Sequence, residues 1–182
     1  MNEGILVLYL LNWGWLISLP FIFFKGEGRF NFMWWVTASP FALMGATLIT
    51  AYLEFFPPLF SHVSLELLSI PISVASISLM LYTLGTHQTP LALWHQKDDA
   101  PDSIVTYGAY KKIRHPFYTS FLLMLIGAVI YCPHIGTLMA LALGFAILNY
   151  TAAKEEKELS ASEFGEEYQN YMRTTGRFFP GA

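Results

Sequence analysis

The sequence predicts an all-α, polytopic membrane protein: about five transmembrane helices, with a helical hairpin before a cytoplasmic C-terminal tail. Three observations carry this. Charged residues make up 13% of the chain and its mean hydropathy is +0.45, whereas a soluble domain has roughly 25% charged residues. Charge-free runs cover 4–24, 30–53, 67–84 and 116–153. All ten Lys and Arg fall in the connections and tail on one side of such a bundle.

The first run, Gly4–Phe24, matches the ~20 residues needed to cross ~30 Å of hydrocarbon. Glu3 is the only charge before it, and there is no basic leader or small-residue cleavage site, so it reads as a retained span. Lys25-Gly-Glu-Gly-Arg29 is a turn. Phe30–Leu53 is the second span, with Trp34 and Trp35 at one end and Tyr52 near the other, as in an aromatic belt. Residues 54–62, with Pro57 and Pro58, form the next turn. Leu67–Leu84 is the third span; its Ser73, Ala75, Ser76 and Ser78 suit close helix packing in lipid or are polar groups merely tolerated there.

The connection from Gly85 to His115 is long and polar, a length more often functional than a spacer. The run from Pro116 to Ala153 would be ~57 Å as a single helix, too long for a bilayer, so Cys132-Pro-His134 should fold it into a hairpin. Pro116 suits a first helical position, where its missing N–H costs nothing. The free amides of that helix start would then point at Tyr110, Arg114 and His115, a setting for an anion. Beyond Ala153 the last helix continues through Lys154-Glu-Glu-Lys-Glu158. Ser160-Ala-Ser-Glu163 reads as a capping box for one more short helix. Phe164, Tyr168 and Tyr171 share one face of that helix, which either lies on the headgroups or closes over a pocket.

With five spans, the N-terminus and the turns at 54–62 and 132–134 lie on one side and hold no Lys or Arg. Residues 25–29, 85–115 and the tail lie on the other and hold two, four and four, which makes that side cytoplasmic. The formal net charge of −3 gives no support for nucleic acid. The single Cys132 excludes an internal disulfide, and the five histidines lack metal-ligand spacing, so no metal is expected. No nucleophile elbow or phosphate loop is present. Two polar clusters remain on the cytoplasmic face: Tyr110, Arg114, His115 and Tyr118, and Glu155, Glu156, Arg173 and Arg177.

Gly108-Ala-Tyr-Lys-Lys-Ile-Arg-His-Pro-Phe-Tyr118, followed by Glu155-Glu156, Phe164-Gly-Glu-Glu-Tyr168, Tyr171 and Gly176-Arg-Phe-Phe-Pro180, resembles the isoprenylcysteine carboxyl methyltransferase family over roughly residues 84–180. The resemblance implies one membrane domain over 1–182, with three spans in 1–84 and a cofactor-binding loop, hairpin and tail in 85–182. It implies an enzyme moving a methyl group from S-adenosylmethionine to a lipophilic or prenylated substrate, with membrane lipid around it. The implied cofactor pocket takes His95, Asp102, Ser103, Ile104, Val105, Tyr110, His115, Pro116, Phe117, Tyr118 and Glu156, with the 102–105 segment strand-like. Glu156, Arg173 and Arg177 would be catalytic, and Asn149 and Ala152 would face the substrate. Family enzymes carry an Arg one turn before the position of Glu156; here it is Ala152. That departure leaves open a different lipid or small hydrophobic nucleophile, also suggested by Thr89-Pro-Leu91. Two other classes compete: an NADPH-dependent sterol-reductase-like enzyme, disfavoured by Phe117 where an Asn is expected, and a non-catalytic membrane protein.

Overall fold

The computed structural model describes residues 1–23, 32–86 and 104–181. Among them are six α-helices and no strand: α1 (Glu3–Phe23), α2 (Phe32–Tyr52), α3 (Val63–Thr86), α4 (Pro116–Tyr131), α5 (Ile135–Ser160) and α6 (Gly165–Thr174), with one 3-10 turn at Gly108–Lys111. Two of them, α3 and α5, are long and apolar enough to cross a membrane, and α4 is a shorter apolar helix. The described residues are therefore all-helical with two candidate spans among them, a coarser result than the five expected.

The first five helices fall on the charge-free runs, with ends shifted by a few residues, and α6 lies in the charged tail. Pro116 opens α4 as expected, and the hairpin turns at Cys132, Pro133 and His134. A capping box does form, but at α5 rather than ahead of α6. The His134 ring accepts from the Gly136 N–H at 2.9 Å, and the Thr137 hydroxyl accepts from the His134 N–H at 3.2 Å. The expected box at 160–163 is absent because Ser160 still belongs to α5 and its hydroxyl donates back to the Glu156 carbonyl at 2.7 Å. The strand-like reading of 102–105 also fails where it can be seen: Ile104 and Val105 carry no strand, and Asp102 and Ser103 lie outside the described residues.

The turns gather at the ends that the sequence anticipates. At one end the Asn2 N–H donates to Glu66 at 2.9 Å, the Tyr131 hydroxyl to the Asn2 carbonyl at 2.8 Å, and the Leu59 N–H to the Pro133 carbonyl at 2.8 Å. The N-terminus and both turns thus form one lysine- and arginine-free end. The described Lys and Arg sit at the other, and Lys25, Arg29 and Lys97 lie outside the described residues.

Helix α3 packs chiefly on α4, and α2 on α5. In lipid, packing rests on close approach more than on apolar burial. The α3 serines serve that approach: Ser69, Ser73 and Ser76 are fully buried, and the Ser76 hydroxyl donates to the Ser120 carbonyl at 2.7 Å. Gly127 admits the Tyr9 hydroxyl where a Cβ would collide. Tyr9 in turn stacks on Tyr131 with centroids 5.3 Å apart.

The end of α2 is a Schellman cap. The Phe55 N–H donates to the Thr50 carbonyl at 3.0 Å and the Glu54 N–H to the Ala51 carbonyl at 3.2 Å, with Glu54 in the left-handed region at φ 61°. Glycine normally takes that position, because a Cβ there costs ~1 kcal/mol. Glu54→Gly should therefore raise stability, by less than ~1 kcal/mol once the looser unfolded chain is counted. Thermal unfolding in detergent reads this, and a lower midpoint for the variant would contradict it.

Candidate functional site

The site begins with the tail returning to the start of α4. The Arg114 N–H donates to the Gly176 carbonyl at 2.8 Å and the His115 N–H to the Arg177 carbonyl at 3.0 Å, making a parallel bridge between Ile113 and Gly176. The Thr119 hydroxyl donates to the Phe178 carbonyl at 2.9 Å. Just ahead of the helix start where an anion was expected, the Arg114 and His115 N–H groups therefore meet carbonyls of the chain's own tail. Helix α6 sits beside them with Tyr168 buried, and the Tyr171 hydroxyl donates to the Tyr110 carbonyl at 2.5 Å. Of its aromatic face, Tyr168 is buried and Phe164 and Tyr171 are half-buried.

Glu156 is the centre. It sits where α5 leaves its charge-free run, and it is 6% exposed. Its Oε1 accepts from Arg114 Nε at 3.0 Å and Arg177 Nε at 3.0 Å, and lies 3.2 Å from His115 Nε2; its Oε2 accepts from Arg177 Nη2 at 2.5 Å. Arg114 also donates to the carbonyls of Met172 and Thr175, and Arg177 to Asn149 Oδ1 at 2.7 Å. The Tyr118 hydroxyl donates to Glu155 at 2.6 Å. Its ring stacks on His115 at 5.4 Å, and Phe178 meets His115 edge-on at 6.2 Å. A buried carboxylate is stable only when paired and hydrogen-bonded, and two guanidinium groups and an imidazole do this for Glu156. Its hydrogen bond to Arg177 raises the arginine's pKa further. Burial raises the Tyr110 and Tyr168 phenols, and pushes Tyr171 up to about 12 against the opposing charge of Arg114. All three stay neutral near pH 7, which suits donors and not general bases.

The structure brings together Tyr110, His115, Tyr118, Asn149, Glu156 and Arg177. It separates the rest. Pro116 and Phe117 are buried beneath, with Phe117 edge-on to Phe121 at 4.7 Å. Ala152 is wholly buried in the core, and Arg173 is exposed. Ile104 and Val105 are half-buried ahead of the 3-10 turn. His95, Asp102 and Ser103 lie outside the described residues. His115 occupies the cap position of α4, but its ring caps no amide and turns to Glu156 instead. Sequence reasoning missed Thr119 and quoted Gly176 and Phe178 only within the Gly176-Arg-Phe-Phe-Pro180 ending, with no role of their own. Thr119 lies one turn beyond His115, and Gly176 directly precedes Arg177. Beside the cluster an open cleft of about 550 Å³ is lined by Arg114, Asn149, Arg177, Phe145, Phe178 and Phe179 among others. Among the described residues no group of three His, Cys, Asp or Glu is arranged to hold a metal ion.

No family model matches the chain. Over 111 residues, 57% of this chain, it is 32% identical to the cobalt-zinc-cadmium resistance protein CzcN of Cupriavidus metallidurans. The chain spans about half the length of that relative, 51% of which is covered. These findings correct the resemblance to the isoprenylcysteine carboxyl methyltransferase family, and with it the methyltransferase function: the relative found is a metal-resistance protein. The polar signature that suggested methyl transfer has a direct structural use in this chain, because its Arg, His and Tyr close the tail onto α4 and α5.

Proposed function

We propose that this chain is a non-catalytic, multi-pass membrane protein that contributes to tolerance of divalent metal cations such as cobalt, zinc and cadmium. The observation that carries the non-catalytic part is the saturation of Glu156. Both its oxygens are engaged by the chain's own cations, and the surrounding phenols act as neutral donors. Such a cluster is built to hold two segments together. The link to metal cations rests on the similarity to CzcN. Membrane lipid is the surrounding partner, against the exposed apolar side chains of α3 and α5.

The test is growth of a metal-sensitive host on graded cobalt, zinc and cadmium, with the chain expressed and its membrane level checked. Higher tolerance than empty-vector cells for at least one of the three is expected. Tolerance equal to the vector's would overturn the metal role. Stabilisation of the purified protein by S-adenosylmethionine would overturn the non-catalytic reading.

The finer topology belongs to the same proposal: five spans, with the lysine- and arginine-bearing end cytoplasmic and Met1 outside. A reporter fused after Ala182 should read cytoplasmic and one at Met1 should not. Both reading the same side would give an even number of spans and contradict it.

A further inference from the structure

The end of the bundle opposite the Glu156 cluster carries a loop whose exposed apolar side chains have no part in that packing. Between α2 and α3, Phe55 is 70% exposed, Phe56 63%, Leu59 61% and Phe60 56%. Leu53 and Val63 flank them, also exposed. Contiguous exposed apolar surface of this kind marks an interaction site. The loop is not a slack connection that merely fails to pack. The Schellman cap fixes its start, Pro57 and Pro58 restrict its middle, and the Leu59 N–H is tied to the Pro133 carbonyl at 2.8 Å. Phe55 makes the point most clearly. It holds the position whose side chain usually folds back on a Schellman-capped helix, yet it is turned outward. The backbone is held so that the aromatic side chains face away from the protein.

We propose that this loop lies in the membrane, with Phe55, Phe56 and Phe60 inserted at the boundary between headgroups and acyl chains. Three observations select lipid as the occupant. The patch is flanked by exposed apolar side chains of the neighbouring helices, Ile49 and Tyr52 on α2 and Leu67 and Leu68 on α3. Aromatic side chains are favoured at that depth. Between 53 and 63 there is no Lys or Arg, Glu54 is the one acidic residue and His62 the one histidine, so the loop has no permanent positive charge with which to select anionic headgroups. Insertion therefore depends on apolar burial and should be as deep in neutral as in acidic bilayers. The inference rests on the membrane reading of the chain and is independent of the metal role.

The test places a nitroxide on Phe55→Cys, Phe56→Cys and Phe60→Cys separately, in full-length protein carrying Cys132→Ala, reconstituted in phosphatidylcholine vesicles. Glu163→Cys on the exposed start of the tail serves as the aqueous reference. Electron paramagnetic resonance then compares collisions with apolar oxygen and with a polar nickel chelate. At 55, 56 and 60 oxygen should collide more often than the chelate, at a depth of ~5–10 Å, with the order reversed at 163. The depth should be unchanged when phosphatidylglycerol replaces a third of the lipid. Chelate collisions exceeding oxygen's at the three loop sites would place the loop in water and overturn the proposal. Shielding from both reagents in vesicles would overturn it too, because it would mean that protein covers the loop. Unchanged melting of each labelled variant excludes misfolding as the cause of either result.

Discussion

Glu156→Ala should cost about 3 kcal/mol of stability and release the tail. The variant leaves two guanidinium groups facing each other without the carboxylate between them. Removing one partner of a buried ion pair costs about 3–5 kcal/mol. The lower figure applies here because the Arg177 side chain is 30% exposed while that of Arg114 is 11%. Thermal unfolding in detergent measures the loss. Trypsin locates it at the Arg177–Phe178 bond, which the Arg177 side chain helps to tie down through Glu156 and Asn149, beside the bonds from the His115 N–H and the Thr119 hydroxyl. Faster cleavage there, with the membrane helices still protected, is the expected pattern. A variant with wild-type melting and wild-type cleavage would show that the cluster does not hold the tail.

Gly176→Ala should open the same closure with no change of charge. A Cβ at this position runs into the carbonyl oxygens of Phe179 and Gly181. Those are backbone atoms, which no side-chain rotation can move aside, so the turn over 176–181 has to re-form. Arg177 is the next residue and would leave Glu156 with it. A cost of about 2 kcal/mol is expected. Because both substitutions release one segment, their effects should not add: the double variant should fall short of the sum by at least ~0.5 kcal/mol. Full additivity would mean that Gly176 and Glu156 act on separate parts of the structure.

Much of the fold was legible because membrane helices write themselves as charge-free runs. Pro116 located the start of α4, and Pro133 the break before α5. The gathering of both turns with the N-terminus followed from counting spans and basic residues, and the bonds of Asn2, Leu59 and Tyr131 bear it out. The caps were harder. Ser160 looks like a helix start because serine competes well for free amides, yet inside a helix its hydroxyl bonds back one turn, as it does here to Glu156. His134 is an uncommon cap, so the box that does form left little trace. The site was legible as a set of polar residues but not as a function. Arg114, His115 and Tyr118 were read as one polar cluster and Glu156 as part of another on the same face, while their pairing with one another depends on where the tail lands. That in turn depends on Gly176 and Thr119, whose small or hydroxyl side chains carry no signal on their own. A motif read without those contacts looked like a cofactor cradle.

The most direct measurement joins the closure to the proposed role. Cells expressing wild type, Glu156→Ala and Gly176→Ala at equal membrane levels are compared for growth on cobalt, zinc and cadmium. If the chain supports metal tolerance through a closed tail, wild type raises tolerance and both variants fall back toward the empty vector. Full tolerance in both variants, with the tail shown by trypsin to be released, would contradict the account.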